Sequence, residues 1–297
     1  MAKKKDQPIV VNSLADFIGA IHATQIEWEQ ADDAWLDPWF RGVSNADYGL
    51  LPGLYRPQWD QSREKYDLDE EDFRVDFKLK SIPYRRDLGG GNNDCPESHD
   101  WDEYCLMQHY GLPTRLIDWS ESALVALHFA LDSDSFENAP AHAAVWMFDP
   151  WWFNERMGHG DDLFFTWEKK GMSYLPPLYS GKNIPKEPLA ILAPYNSPRI
   201  TAQRGLFTVH GSDKRPLERI VGGNAPGNRL VQFLIPKNRM AAIRRQLRTA
   251  GVTPTSIYPD LAGLCSEAKR DWLDLPAIPA VGRASRKILG SKPRPGS

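Results

Sequence analysis

Thirteen consecutive residues concentrate the reactive groups of this chain. The run Gln108-His109-Tyr110-Gly111-Leu112-Pro113-Thr114-Arg115-Leu116-Ile117-Asp118-Trp119-Ser120 holds an amide, an imidazole, hydroxyls, a guanidinium, a carboxylate and two aromatic rings. A guanidinium grips phosphate or carboxylate through paired hydrogen bonds, and an imidazole exchanges protons near neutrality. Gly111 and Pro113 predict that much of the run is turn. Polar groups crowded onto a stiff loop, directly before an apolar helix, point to a site. The same pattern also describes a buried polar corner that ties two elements together.

The elements that would position this run are legible on both sides. Asp100 is placed to cap a helix over 101–109, with Glu103 at its third position. Beyond the run, Ser120 or Ser122 can cap a helix through Leu131. Its residues Ala123 to Leu131 are apolar nearly all round, so that helix is expected to be buried. Upstream, Trp39-Phe40-Arg41-Gly42-Val43 reads as a short strand with Pro38 at its start. Ser13 and Asp16 begin an amphipathic helix over 14–30. Residues 68–87 carry a charged helix up to Ser81, and Gly89-Gly90-Gly91 a flexible connection. Ala143–Phe148, Leu189–Leu192, Leu206–Val209 and Leu230–Ile235 are further strands. Residues 175–188 read as an irregular Pro-rich insertion. Lys237–Ala250 reads as a basic amphipathic helix ending at Gly251, Ile257-Tyr258 as a short edge segment, and 260–273 as a last helix. Strands and helices interleave without a regular βαβ rhythm. The expected fold is therefore α+β, one domain with a mixed or antiparallel split sheet and flanking helices.

Composition narrows the function classes. The 297 residues are 41% apolar and 25% charged, the balance of a globular protein with a sizeable core. The net charge of −3 neither demands nor forbids nucleic acid. Lys3, Lys4 and Lys5 open the chain and five Lys or Arg fall within 283–297, so the body between them is acidic. The expected organisation is a basic flexible tail over 1–12, a domain over 13–280 and a disordered basic tail over 281–297. Three cysteines (Cys95, Cys105, Cys265) make no disulfide framework and fit a reducing, cytoplasmic setting. No signal peptide is evident and no apolar run is long enough to span a bilayer, so no membrane partner is expected. No phosphate loop, dinucleotide fingerprint, nucleophile elbow or His-Glu-x-x-His motif is present. Cys95, His99, Cys105 and His109 fall within fifteen positions, but their spacing matches no common zinc module, and no metal is expected.

Together, Phe40-Arg41-Gly42, Leu50-Leu51-Pro52-Gly53-Leu54-Tyr55-Arg56, the run Gln108–Ser120 and the helix Ala123–Leu131 resemble the FRG domain. Ser197-Pro198-Arg199-Ile200-Thr201-Ala202-Gln203-Arg204-Gly205-Leu206-Phe207-Thr208 and Ile257-Tyr258-Pro259-Asp260-Leu261-Ala262-Gly263-Leu264 also look like family features, so the resemblance spans roughly 35–265. A remoter similarity is to Arg-specific mono-ADP-ribosyltransferases. Those enzymes show an aromatic-Arg-Gly strand, a Ser-Thr-Ser strand leading into an Ala-x-x-Phe-Ala helix, and a Glu-x-Glu turn. Arg41 resembles the first element. Asp118-Trp119-Ser120 before Ala126-Leu127-His128-Phe129-Ala130 resembles the second. Gln203-Arg204-Gly205-Leu206-Phe207 lies where the third belongs.

The resemblance implies an ADP-ribosyltransferase-like fold and NAD as substrate. It implies an NAD-using ADP-ribosyltransferase or NAD-cleaving effector of the toxin or phage-defence kind, with a protein or nucleic acid as acceptor. Arg41 would grip the pyrophosphate, and Gly42 would admit the ligand close to the backbone. Ser120 or Thr114 would hydrogen-bond the nicotinamide ribose. His109, Arg115 and Asp118 would contact phosphates, ribose or acceptor, and Gln203 would sit in the catalytic turn. The chain departs from the pattern where the catalytic Glu belongs: Gly205 stands there, or Gln203 in a shifted register. Losing a general base costs about 10²–10⁴ in rate. The acid would then come from Asp118, Glu121 or Glu218. The alternative is a non-catalytic module that binds nucleotide or nucleic acid through Arg41, His109 and Arg115, with Arg244, Arg245 and Arg248 of the basic helix meeting phosphates.

Overall fold

Side chains along the strand Leu116–Ser120 alternate between two faces, and that alternation sorts the molecule. Ile117 and Trp119 enter one apolar cluster with Trp39, Phe148, Phe153 and Leu206. Leu116 enters a second with Trp101, Tyr104, Phe207 and Val209, and Asp118 is exposed. The computed structural model of the protein describes residues 8–32, 36–59, 61, 70–85, 96–132, 142–175, 184–193, 198–222 and 227–273.

In chain order the elements are β1 (Ile9–Val10), α1 (Leu14–Asp32), β2 (Trp39–Val43), a 3₁₀ turn at Gly53–Tyr55, α2 (Glu70–Lys80), α3 (Ile82–Arg85), α4 (Pro96–His109), β3 (Leu116–Ser120) and α5 (Ala123–Ala130). There follow β4 (Ala143–Phe148), α6 (Pro150–Arg156), β5 (Phe164–Phe165), α7 (Lys169–Met172), β6 (Leu189–Leu192), α8 (Pro198–Gln203) and β7 (Gly205–Val209). The chain continues through α9 (Leu217–Ile220), β8 (Leu230–Ile235), α10 (Lys237–Thr249), α11 (Pro254–Ile257) and α12 (Leu261–Leu273).

The described strands form one open mixed sheet in the order β1-β8-β4-β2-β3-β7-β6-β5. β1 runs parallel to β8 and β5 parallel to β6; the remaining neighbours are antiparallel. β2 pairs with β4 at five positions and β3 with β7 at five, yet β2 and β3 share one pair, Phe40 with Ser120. The sheet therefore consists of two four-stranded halves that splay apart at its centre. Each half has its own core on the face that carries Leu116. One gathers Phe17, Phe40, Val145, Phe233 and Ile243 beneath α1, α5 and α10; the other gathers Trp101, Tyr104 and Val209 beneath α4.

Several local expectations change in the fold. Residues 9–10, assigned by sequence to the N-terminal tail, pair with Phe233 and Leu234 as β1. Asp100 does not cap a helix: α4 begins at Pro96, and the Asp100 carboxylate instead forms an ion pair with Arg74 at 2.8 Å and accepts from Lys78 at 3.1 Å. Ile257 ends a helical turn capped by a Thr253–Ser256 box rather than forming an edge strand. Ser122, not Ser120, caps α5 by accepting from Val125 N. Residues 1–7, Gly89–Gly91, most of 175–188 and the tail 281–297 lie outside the described residues.

Candidate functional site

Where the two halves of the sheet part, a cleft of about 540 Å³ opens over β2, β3 and β7. Its floor takes Phe40, Arg41, Asp118, Ser120 and Phe207 from the strands. Cys105, Gln108 and His109 at the end of α4 form one wall, Ala126 and Phe129 of α5 another, and Arg199 and Gln203 of α8 a third. Tyr48, Arg56 and Tyr258 complete the rim. The expected residues Arg41, His109, Asp118, Ser120 and Gln203, up to 162 positions apart in sequence, thus share one space.

Arg41 bridges the split. Its Nη1 donates to the Asp118 backbone oxygen at 2.6 Å and lies 3.5 Å from Asp118 Oδ2. A side chain therefore supplies a link that main-chain pairing no longer makes. Burial lowers the Arg41 pKa, Asp118 opposes this and Arg56 adds to it; a guanidinium remains cationic throughout. Asp118 is half exposed and is the one carboxylate among the described lining residues. A relay fixes it: Leu116 N–H donates to Thr114 Oγ1, Thr114 donates to Gln108 Oε1 at 2.5 Å, and Gln108 Nε2 donates to Asp118 Oδ2 at 2.7 Å. Burial, followed by Arg199, lowers the His109 pKa, while Asp118 and Asp260 oppose it, so the site favours the neutral imidazole.

The third element is set by an unusual turn. Arg204, between α8 and β7, adopts φ +47°, a left-handed conformation that costs an ordinary residue about 1–2 kcal/mol. There the Gln203 carbonyl accepts from Ser120 Oγ at 2.7 Å, while Ser120 Oγ accepts from Ser122 N–H at 3.0 Å. The Ser120 hydroxyl is thereby committed to the turn, and Gln203 Nε2 reaches Ile257 O at 3.5 Å. Arg199 pairs with Asp260 at 2.8 Å and lies 5.0 Å from the Tyr258 ring centroid.

Two expected ligand contacts, Arg115 and Thr114, fall elsewhere. Arg115 is 1% exposed and lies outside the cleft. Its Nε pairs with Glu70 at 2.6 Å, Nη1 donates to His210 O at 2.6 Å, and Nη2 donates to Tyr174 O. Tyr104 hydroxyl donates to Glu70 and accepts from Arg115 N–H at 2.7 Å. The local Arg115–Asp118 pairing that a spacing of three allows is absent because Glu70 holds the guanidinium. Thr114 is fully buried and orients Gln108 instead of reaching a ribose. Gly42 lines the cleft, and a Cβ there would lie 1.9 Å from Ala126 O and 2.6 Å from Ala130 N, so the missing side chain lets α5 pack directly on β2.

Of the alternative acids, Glu121 and Glu218 are not in the lining; Glu218 accepts from Leu50 N–H at 3.0 Å. Burial raises the Cys105 thiol pKa far above its usual value, which keeps it protonated and weakly nucleophilic. Among the described residues no group of three or more His, Cys, Asp or Glu could hold a metal ion; Cys95 and the His99 side chain lie outside them. No described helix is long and apolar enough to cross a membrane. Sequence reasoning did not assign site roles to Gln108, Arg56, Arg199 and Tyr258. Each stood inside a quoted motif, yet only long-range pairing shows what it faces.

Comparison with known families agrees with part of the motif reading. The FRG domain model matches residues 37–139, a narrower span than the 35–265 suggested by the motifs. No curated protein and no solved structure matches the chain. The matched segment supplies the Arg41, Gln108, His109, Asp118 and Ser120 side of the cleft; Arg199, Gln203 and Tyr258 come from beyond it. Residues 37–139 of the chain are thus similar to the FRG domain.

Proposed function

We propose that the central cleft binds a dinucleotide, with NAD as substrate, and supports cleavage of its nicotinamide–ribose bond. The observation that carries this reading is the charge arrangement. Arg41, Arg56 and Arg199 line a cleft of about 540 Å³ opposite one half-exposed carboxylate, Asp118. Paired guanidinium groups suit a pyrophosphate, and the volume lies in the usual range for a small-molecule site. Phe129 and Tyr258 offer flat surfaces for rings.

In this scheme the glycosidic C–N bond breaks heterolytically. Both bonding electrons leave with nicotinamide, whose ring charge they neutralise. The ribosyl carbon becomes cationic, and Asp118, held by Gln108 and Arg41, stabilises that charge. Water or an acceptor side chain donates a lone pair to the same carbon, and neutral His109 takes the released proton. Ser120 and Gln203 hold the turn that shapes the nicotinamide end. Transfer to an acceptor would make the protein an ADP-ribosyltransferase; transfer to water would make it an NAD-cleaving effector, as a toxin or phage-defence protein would be.

A second reading, a binding module without catalysis, draws on the turn itself. Gln203 and Gly205 stand where the remote resemblance places a Glu, and Ser120 is committed to the backbone.

The test is titration of the full chain with NAD by calorimetry, alongside assay of nicotinamide release with cell extract as acceptor. Arg41→Ala is expected to weaken binding at least about tenfold. Asp118→Asn is expected to retain binding while release falls by about 10² or more. Binding without release in the native protein favours the second reading. Absence of saturable NAD binding refutes the first.

A further inference from the structure

Two segments meet at one side of the central cleft. Leu54 N–H donates to Thr114 O at 3.0 Å, and a Cβ at Gly53 would touch Pro113 at 3.5 Å. That contact brings the segment carrying Tyr48 and Arg56 beside the end of α4, which carries His109 and Tyr110. Tyr48, Arg56 and His109 line the cleft. Two rings here are left to solvent. Tyr48 is 58% exposed, and Tyr110 is 60% exposed and stands edge-on to the His109 imidazole at 5.0 Å between ring centres. Neither tyrosine takes part in the NAD scheme above.

The three guanidinium groups of the cleft are not equally occupied. Arg41 is held by Asp118 and Arg199 by Asp260, whereas Arg56 is exposed and makes no ion pair among the described residues. Its charge adds to the lowering of the Arg41 pKa, so the two cations repel one another. An unpaired cation beside exposed aromatic faces suits single-stranded nucleic acid, whose phosphates meet guanidinium groups while its bases stack on rings. A cationic acceptor side chain would instead meet three like charges on its way to Asp118. Asp118 lies on the cleft floor, so the acceptor must enter the cleft, and a base does so only out of its duplex stack.

We infer that the acceptor at this site is an unpaired base of a single-stranded nucleic acid, with a flanking phosphate on Arg56 and flanking bases on Tyr48 and Tyr110. This inference rests on the NAD reading. In the transfer, an N–H nitrogen of the base donates its lone pair to the ribosyl carbon. The bond from that carbon to nicotinamide breaks, and both electrons leave with nicotinamide. The proton on the base nitrogen passes to the His109 imidazole and then to water. The products are nicotinamide, an ADP-ribosylated base and one proton.

The test uses the full chain and two readouts. Fluorescently labelled single-stranded DNA and RNA of mixed sequence, and a duplex of the same length, are titrated without NAD and followed by anisotropy. The same strands are then incubated with the protein and NAD radiolabelled in its adenylate half. Transfer to the strand is measured beside nicotinamide release. Saturable single-strand binding is expected, at least about tenfold tighter than duplex binding. Tyr48→Ala is expected to weaken it about fivefold or more, and Tyr48→Phe, which keeps the ring, to stay within about twofold. Arg56→Ala is expected to weaken it and to make the slope of log affinity against log salt shallower by about one. Arg239→Ala, exposed on α10 outside the cleft, is expected to stay within about twofold. The inference is overturned if single strands do not bind saturably, if the duplex binds as tightly, or if Arg239→Ala weakens binding as much as Arg56→Ala. It is also overturned if nicotinamide is released with label on protein in cell extract and none on the strand. All four results leave calorimetric NAD binding standing. Absence of saturable NAD binding removes the NAD reading and this acceptor together.

Discussion

Arg41 and Arg115 both serve β3, and they live under opposite rules. Arg115 is sealed in the interior, with all three guanidinium nitrogens given to Glu70, His210 and Tyr174. Arg41 sits at the seam of the sheet, its side chain 19% exposed, with one bond to a backbone oxygen and a looser approach to a carboxylate. The first arginine is buried outside the cleft with every nitrogen engaged; the second faces a cleft with two further arginines. A motif dense in polar residues is therefore two structures in one. Its middle is a clasp that fixes the strand, and its ends are a surface that the clasp holds in place.

This contrast predicts a large difference in stability. Arg115→Ala leaves the Glu70 carboxylate buried beside the Tyr104 hydroxyl without its counter-charge. The expected loss is about 3–5 kcal/mol of unfolding free energy, read by urea denaturation. Arg115→Lys is expected to rescue little, because an ammonium cannot meet three acceptors arrayed around a planar fork. If Arg115→Ala unfolds at the same denaturant concentration as the native chain, the clasp has no structural role.

The clasp is also expected to fail in acid before the cleft does. His210 is fully buried; its N–H donates to Arg115 O at 2.9 Å and its carbonyl accepts from Arg115. Burial lowers its pKa to about 4. In the unfolded chain His210 takes a proton near pH 6.5, but in the native state only near pH 4. Between those values the unfolded state holds more protons, so stability rises with pH. It is fully present above about pH 6.5 and lost as pH falls toward 4, by up to about 3 kcal/mol for this group. His210→Gln is expected to flatten that part of the pH–stability curve; an unchanged slope assigns the acid sensitivity to other groups.

A smaller effect is expected at the seam. Gly42→Ala drives a methyl group into the backbone of α5. The helix must shift, at about 1–3 kcal/mol. Phe129 and Ala126 move with it, so ligand affinity in the central cleft is expected to fall as well. A variant with native stability would mean that α5 is free to retreat.

How much of this was written in the sequence depends on the range over which each feature is decided. β3 was not read as a strand, because Gly111 and Pro113 marked much of its run as turn, whereas α5 was legible because an unbroken apolar run is a local pattern. The short strand at Trp39–Val43 was legible from a local pattern as well. The clasp was not, since Glu70 lies 45 positions before Arg115 and Tyr174 lies 59 after it. No spacing rule assigns such partners, so Arg115 read as a ligand contact. Asp100 shows a local signal overruled: its capping spacing was sound, but Arg74 and Lys78 compete for the carboxylate from α2. In the cleft, the participation of Arg41, His109, Asp118, Ser120 and Gln203 was legible from the motifs. The relay through Thr114 and Gln108 required the fold.

The finest test of the contrast is Asp118→Asn. Asp118 is half exposed, and its ion pair with Arg41 spans 3.5 Å, so the charge is expected to contribute less than about 1 kcal/mol to stability. Gln108 is held by Thr114 with its amide nitrogen toward Asp118, and an Asn carbonyl oxygen can accept the same bond. The strand, the relay and the Arg41 bond to the Asp118 backbone oxygen all survive the change. Thermal denaturation is therefore expected to show a midpoint within about 2–4 °C of the native chain. Against that quiet background, any large fall in nicotinamide release reports the carboxylate charge alone. A variant that instead melts as early as Arg115→Ala would place Asp118 with the clasp and erase the division between scaffold and site.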